Sequence, residues 1–199
     1  MTEVLLDPTK FFEKTKERPP RPWLGYSVVL LASLVSTLAS RIATRELPSP
    51  SAFGPNWVWE VVGVIVGSLA VWGLLGFLLH LLTGLGPRAF ELAGWTFAPG
   101  IVLGLVVLAV AALVPVEAKL PPPPTEFDQL RDWLKGYEAA IRASTYGQVS
   151  RVGGILGTLW GAWILYAGTR VFAEKRAALV VGVFLAIELA FTILGFLKG

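Results

Sequence analysis

The chain contains no cysteine, one histidine and one methionine, and only 16% of its 199 residues are charged. Without cysteine there is no disulfide, no thiolate nucleophile and no cysteine-ligated metal. A zincin motif, H-E-x-x-H, needs two histidines, and a single one rules it out. No G-x-S-x-G elbow, P-loop or Rossmann fingerprint occurs, and the three aspartates, Asp7, Asp128 and Asp132, all lie outside the long apolar runs. These gaps leave an enzyme reading almost nothing to stand on, and no cofactor or metal is expected. The small formal charge of +3, with basic residues grouped at the ends of apolar runs, argues against a nucleic-acid partner.

What is abundant is apolar. Hydrophobic residues make up 54% of the chain and mean hydropathy is +0.65. A soluble domain carries more polar surface than that, and apolar runs longer than 18 residues read as membrane spans. The pattern predicts an all-α, polytopic membrane protein built as a five-helix bundle, with the lipid bilayer as its principal partner. Residues 1–22 form an amphipathic tail and 23–199 a membrane domain. Spans are expected at about 23–43, 57–83, 92–116, 150–170 and 176–197. The first 21 residues mix charge with proline and lack the apolar core of a signal peptide, so the first span is expected to stay in the mature protein.

Lysines and arginines count nine against eight on the two sides of such a bundle. The five in the tail (Lys10, Lys14, Lys16, Arg18 and Arg21) lie close to the first span and decide the orientation, with Arg88 assigned to the same side as a loop charge. The expectation is an inner-membrane protein with its N-terminus cytoplasmic and its C-terminus outside. In the tail, Asp7 is a good N-cap, Pro8 suits the first helical position, and Leu6 can staple onto Phe11. A helix over 8–17, with Phe11 and Phe12 among lysines, is expected as an interfacial anchor.

The third loop opens on Pro121–Pro124, and Thr125 and Asp128 give a T-x-x-D capping signature. Phe127, Leu130, Leu134, Tyr137 and Ile141 then recur at intervals of 3, 4, 3 and 4, with Trp133 widening the stripe. This predicts an amphipathic helix at about 125–143. It can lie on the membrane, cover the span ends or bind a partner, and the stripe alone does not choose.

Glycines repeat at four-residue spacing: Gly153, Gly157 and Gly161 in the fourth span, Gly100 and Gly104 in the third, Gly63 and Gly67 in the second. Such faces let helices approach closely, by default within the bundle and alternatively in self-association. Polar groups within spans are costly and point to function. Glu188 is the clearest, twelve residues after Arg176 and near the midplane, with Ser33, Ser36, Thr37 and Thr158 at similar depth. It reads either as a proton or ion site or as a carboxyl tying helices together. Glu60 reads as interfacial beside Trp57 and Trp59, and His80 as a helix-end cap.

One segment carries a resemblance. The tail has DPTKFF (Asp7–Phe12). The second span ends in His80, followed by Gly86, Phe90, Gly94-Trp95 and Pro99, and the fourth span carries Trp160 and Gly168. This pattern resembles bacterial and archaeal members of the Yip family, the Ypt/Rab-interacting membrane proteins. The resemblance implies a five-span fold with a cytoplasmic N-terminus. Eukaryotic members act in vesicle trafficking, and some bind prenylated Rab-type GTPases. The Asp-Leu-x-Gly-Pro motif those members carry before the first span is absent here, so Rab binding is not carried over. The expected function is that of a membrane-organising or scaffold component that binds a membrane-protein partner or itself. The alternative is a small-solute or ion transporter using Glu188.

Overall fold

The computed structural model describes residues 2–48, 57–124 and 126–197, and among these the regular structure is entirely helical. The elements are α1 (Thr2–Leu6), α2 (Pro8–Thr15), α3 (Pro22–Ala43), α4 (Trp57–Thr83), α5 (Pro87–Trp95), α6 (Ala98–Leu113), α7 (Phe127–Ala143), α8 (Thr145–Ala173) and α9 (Ala177–Leu197). A short 3-10 turn, Glu174–Arg176, joins α8 to α9. Among the described residues, three stretches are long and apolar enough to cross a bilayer: Pro22–Ala43, Val58–Thr83 and Pro87–Leu113.

Prolines sit in the first turn of several of these helices, where a missing N–H costs nothing. Pro22 begins α3 and Pro87 begins α5. The α4–α5 turn needs two left-handed residues, and Gly84 (φ 74°) and Gly86 (φ 59°) supply them. Pro99 has a different effect. Its ring would clash with the carbonyl of Trp95 in a continuous helix. Thr96 and Phe97 form a turn there, with the Phe97 N–H donating to the Gly94 carbonyl at 3.1 Å. The apolar run expected as one helix over 92–116 is therefore two, starting five residues earlier and ending at Leu113.

The tail departs from the interfacial anchor expected of it. Asp7 does cap α2, its carboxylate accepting the Lys10 N–H at 3.1 Å. The staple does not form: Leu6 is 76% exposed, and Val4, Leu5 and Phe12 are buried instead. These three join Val29, Leu92, Ile164 and Leu165 in the larger of two cores. Phe11 meets Trp95 edge-on at 5.0 Å and Phe12 meets Phe172 at 5.8 Å. The aromatic face that could have entered lipid is spent on the bundle itself.

The smaller core gathers Ala39, Ala43, Val107, Ala111, Val116 and Tyr146. Tyr137 and Ile141 of α7 pack against it. Trp133 is buried, stacks on Tyr137 at 5.3 Å and donates its indole N–H to the Pro121 carbonyl at 2.7 Å. The amphipathic stripe thus covers the ends of neighbouring helices over its C-terminal half, while Leu134 stays exposed. Thr125 and the side chains of Trp57, Phe127 and Asp128 lie outside the described residues; Glu126 occupies the N-cap position, its carboxylate accepting from the Gln129 side-chain amide and not from a helix N–H. Ser144 then caps α8 by accepting the Gly147 N–H at 3.0 Å. A Cβ on Gly147 would sit 2.0 Å from the Ile141 carbonyl oxygen, so this corner requires glycine.

Candidate functional site

Helices α3, α6, α8 and α9 line a cavity of about 500 Å³. Its room comes from missing side chains. Gly100 and Gly104 on α6, and Gly153, Gly154 and Gly157 on α8, form much of the wall. Close approach depends on glycine at Gly104 and Gly161, whereas at Gly100, Gly153 and Gly157 an added Cβ would make ordinary contact. A Cβ on Gly100 would lie 3.6 Å from the Ala32 Cβ, one on Gly104 2.9 Å from Val35, one on Gly153 3.5 Å from Val107 and one on Gly157 3.5 Å from Leu103. Gly161 is tighter still, 2.6 Å from the Thr96 carbonyl oxygen. On α8, Gly153 and Gly157 face Val107 and Leu103 of α6, and Gly161 faces the Thr96 carbonyl at the α5–α6 turn.

Into this space the bundle brings Ser33, Ser36 and Thr37 from α3, Ser150 and Thr158 from α8, and Glu188 from α9, with Thr96 at the α5–α6 turn. Glu188, Ser36 and Thr158 come from three separate helices and share one cavity. Two of the hydroxyls already spend their protons locally. Thr37 donates to the Ser33 carbonyl at 2.9 Å and Thr96 to the Ala93 carbonyl at 2.7 Å. Their oxygens keep acceptor capacity only. Phe97, Phe184, Leu103 and Val107 supply the apolar remainder. Among the described residues the lining has one carboxyl group and no lysine, arginine or histidine.

A second polar cluster went unread in the sequence. Glu91 is almost fully enclosed, its side chain 3% exposed. It accepts from Arg18 at 2.5 Å, from Arg88 at 2.7 Å and from the Arg21 backbone N–H at 2.9 Å. Arg88 also donates to the Arg18 carbonyl and lies 5.1 Å from the centre of the Phe172 ring. The expectation that Arg88 is a loop charge is corrected: it sits buried in the first turn of α5. The missed signal was the i,i+3 pair of Arg88 and Glu91 at the head of an apolar run. Placing the start of that helix at Leu92 hid it. Similarly, Arg41 belongs to the last turn of α3 and binds Glu60 with two hydrogen bonds, tying α3 to the start of α4.

The family-like motif resolves into structural parts. The Nδ1 of His80 accepts the Gly86 N–H at 3.1 Å and closes the α4–α5 turn. The Phe90 carbonyl accepts from the Trp72 indole at 2.8 Å, and its ring fills the space above Gly76. Gly94 crosses Gly25 so closely that a Cβ would lie 2.1 Å from the Gly25 Cα. Trp95 is buried against Phe11, and Pro99 breaks the helix. On α4, by contrast, a Cβ added at Gly63 or Gly67 would meet nothing within 4 Å. Among the described residues no group of three or more His, Asp or Glu side chains is placed to hold a metal ion.

The family model of the Yip1 domain matches residues 2–196. No curated protein and no solved structure matches the chain.

Proposed function

This chain belongs to the Yip1 domain family, and on that premise we propose that it is a five-span scaffold of the cell membrane, binding through helix–helix contact and performing no catalysis. The spans are α3, α4, the broken pair α5–α6, α8 and α9. At 29 and 21 residues, α8 and α9 both exceed the length a ~30 Å hydrocarbon core requires. The basic tail lies on the cytoplasmic face and the C-terminus outside.

The observation that carries this reading is the surface of α4. Val66, Leu74 and Leu81 are 60%, 72% and 61% exposed, and Gly63 and Gly67 open a flat strip among them. Flat small-residue strips support close helix association in lipid. Gly153, Gly157 and Gly161 on α8 face other parts of the bundle, while the α4 strip is open to a second membrane helix. The chain has no native cysteine, which makes the test direct. Val66→Cys and Leu74→Cys should form disulfide-linked dimers or adducts with one membrane protein under mild oxidation in native membranes. Ile164→Cys, fully buried, should not. If neither α4 variant forms an adduct above the Ile164→Cys background, the scaffold reading fails.

The cavity favours a second reading, a small-solute or ion transporter using Glu188. Glu188→Gln should then abolish coupled flux in proteoliposomes while leaving the fold intact. Flux of the wild type no greater than that of empty vesicles removes this reading.

A further inference from the structure

Three arginines meet one carboxylate where the tail joins α3 and α5, and the charge there does not balance. We infer that this junction binds the headgroup of an acidic phospholipid, a phosphate diester with net negative charge, whose acyl chains lie along the exposed apolar face of α3 and α4. The inference rests on the chain being embedded in a bilayer, and on neither of the two readings above.

Charge comes first. Both oxygens of Glu91 are occupied. Oε1 accepts from Arg18 at 2.5 Å, and Oε2 from Arg88 at 2.7 Å and from the Arg21 backbone N–H at 2.9 Å. One negative charge thus serves two guanidiniums. The Arg21 side chain is exposed and makes no ion pair among the described residues. Even with Glu17, exposed and next to Arg18 in sequence, set against them, the three arginines stay in excess. Arg18 gives an independent sign of unmet demand. Its Nε is enclosed and has no hydrogen-bond partner among the described residues, while its side chain is 27% exposed. A buried donor left unpaired is costly, and an anion can approach this guanidinium from its open side. The positive end of α3 adds to the field, since Arg21 is the N-cap of that helix and makes no side-chain cap bond.

The chemistry then narrows. A guanidinium fork matches the two free oxygens of a phosphate diester. A zwitterionic headgroup brings its own cation and leaves the excess charge uncompensated, whereas an acidic headgroup cancels it. The neighbouring surface separates a lipid from a free anion. Trp23, two residues after Arg21, is 68% exposed and stacks on Trp72 at 5.8 Å. Leu24, Val71 and Leu74 are exposed on the same two helices. An exposed tryptophan between a basic cluster and an apolar surface is the arrangement of a membrane interface, where headgroup and acyl chain meet. A soluble anion would use the charges and leave the apolar face unused.

The test is tryptophan quenching of the purified full chain in phosphatidylcholine vesicles. The probes are brominated phosphatidylglycerol, which is acidic, and brominated phosphatidylcholine, its zwitterionic match. One basic charge at a headgroup is worth about fivefold, so wild type should prefer the acidic probe by at least that factor. Arg21→Gln should remove most of the preference, and Arg21→Lys should keep most of it. The Arg21 side chain has no ion pair to lose, so Arg21→Gln should keep the thermal transition of the wild type. Arg170→Gln removes the same charge from an exposed arginine of α8 and should leave the preference unchanged. Trp23→Phe should remove most of the quenching specific to the acidic probe, which places the lipid beside Trp23. Equal quenching of wild type by the two probes overturns the inference. So do equal losses in Arg21→Gln and Arg170→Gln, which mark a diffuse field without a site. If inorganic phosphate displaces the acidic probe, the junction takes a free anion and the lipid assignment fails.

Discussion

Replacing Gly94 with alanine adds one methyl group at the crossing of α3 and α5. Its carbon would lie 2.1 Å from the Gly25 Cα and 2.2 Å from the Gly25 carbonyl carbon and oxygen. Carbon atoms in contact sit ~3.5–4.0 Å apart, so the helices must part by roughly 1.5 Å. The obstacle is backbone, which cannot rotate aside as a side chain would. Overpacking of this kind costs ~1–3 kcal/mol, and a crossing with backbone on both sides belongs at the upper end. Alanine's better helix propensity returns up to ~1 kcal/mol. The net expectation is a loss of about 2 kcal/mol, close to thirtyfold in the folding equilibrium. Gly67→Ala is the matched control. It makes the same chemical change on α4 with nothing within 4 Å, and should be neutral or stabilising by up to ~1 kcal/mol. The assay is reversible unfolding in mixed detergent micelles, followed by the fluorescence of the eight tryptophans and by helical circular dichroism. If Gly94→Ala and Gly67→Ala agree within ~0.5 kcal/mol, the close crossing is wrong.

Three further outcomes follow from the same geometry. Glu91→Ala strands Arg88 and part of Arg18 without their acceptor and should lose ~3–5 kcal/mol, whereas the paired change Arg88→Met with Glu91→Leu should lose clearly less in the same unfolding assay. Trp160→Phe removes the indole bond to the Leu5 carbonyl (3.0 Å), at about 1 kcal/mol, and should speed tryptic cleavage at Lys10 and Lys14; an unchanged cleavage rate contradicts the docked tail. Ser144→Ala removes the cap of α8 and should cost ~1 kcal/mol, with faster hydrogen exchange at the Gly147 amide as its local signature.

The helical class and the membrane character were legible because long apolar runs and helix-opening prolines are local signals. The capping role of Asp7 was legible for the same reason: cap, proline and N–H lie within four residues. The destination of the tail was not. Phe11 and Phe12 beside lysines have the composition of an interfacial anchor, and only contacts more than 80 residues away show that Trp95 and Phe172 take that surface. Glu91 escaped for a related reason. A carboxylate at the edge of an apolar run looks like a loop residue until Arg18, 73 positions earlier, is seen to reach it. The polar residues of the cavity were legible one by one, because depth in a helix can be counted from its ends. Their meeting in one space depends on how α3, α6, α8 and α9 face one another, which no sequence period identifies. The motif from His80 to Pro99 was visible as a pattern before its parts had reasons. Those reasons proved geometric: a turn closed by His80, a crossing at Gly94, a break at Pro99.

The bond from Trp160 to the Leu5 carbonyl joins residues 155 positions apart. On a ribosome adding ~5–20 residues per second, the tail exists for about 8 to 30 seconds before α8 has been made. Throughout that interval Val4, Leu5 and Phe12 lack the α8 surface that completes their cover. A segment synthesised well before α8 is thus among the last that can be seated. Maturation of this protein is therefore ordered in time, and whatever holds the nascent tail during the wait (lipid surface or chaperone) competes with the finished bundle for the same apolar face.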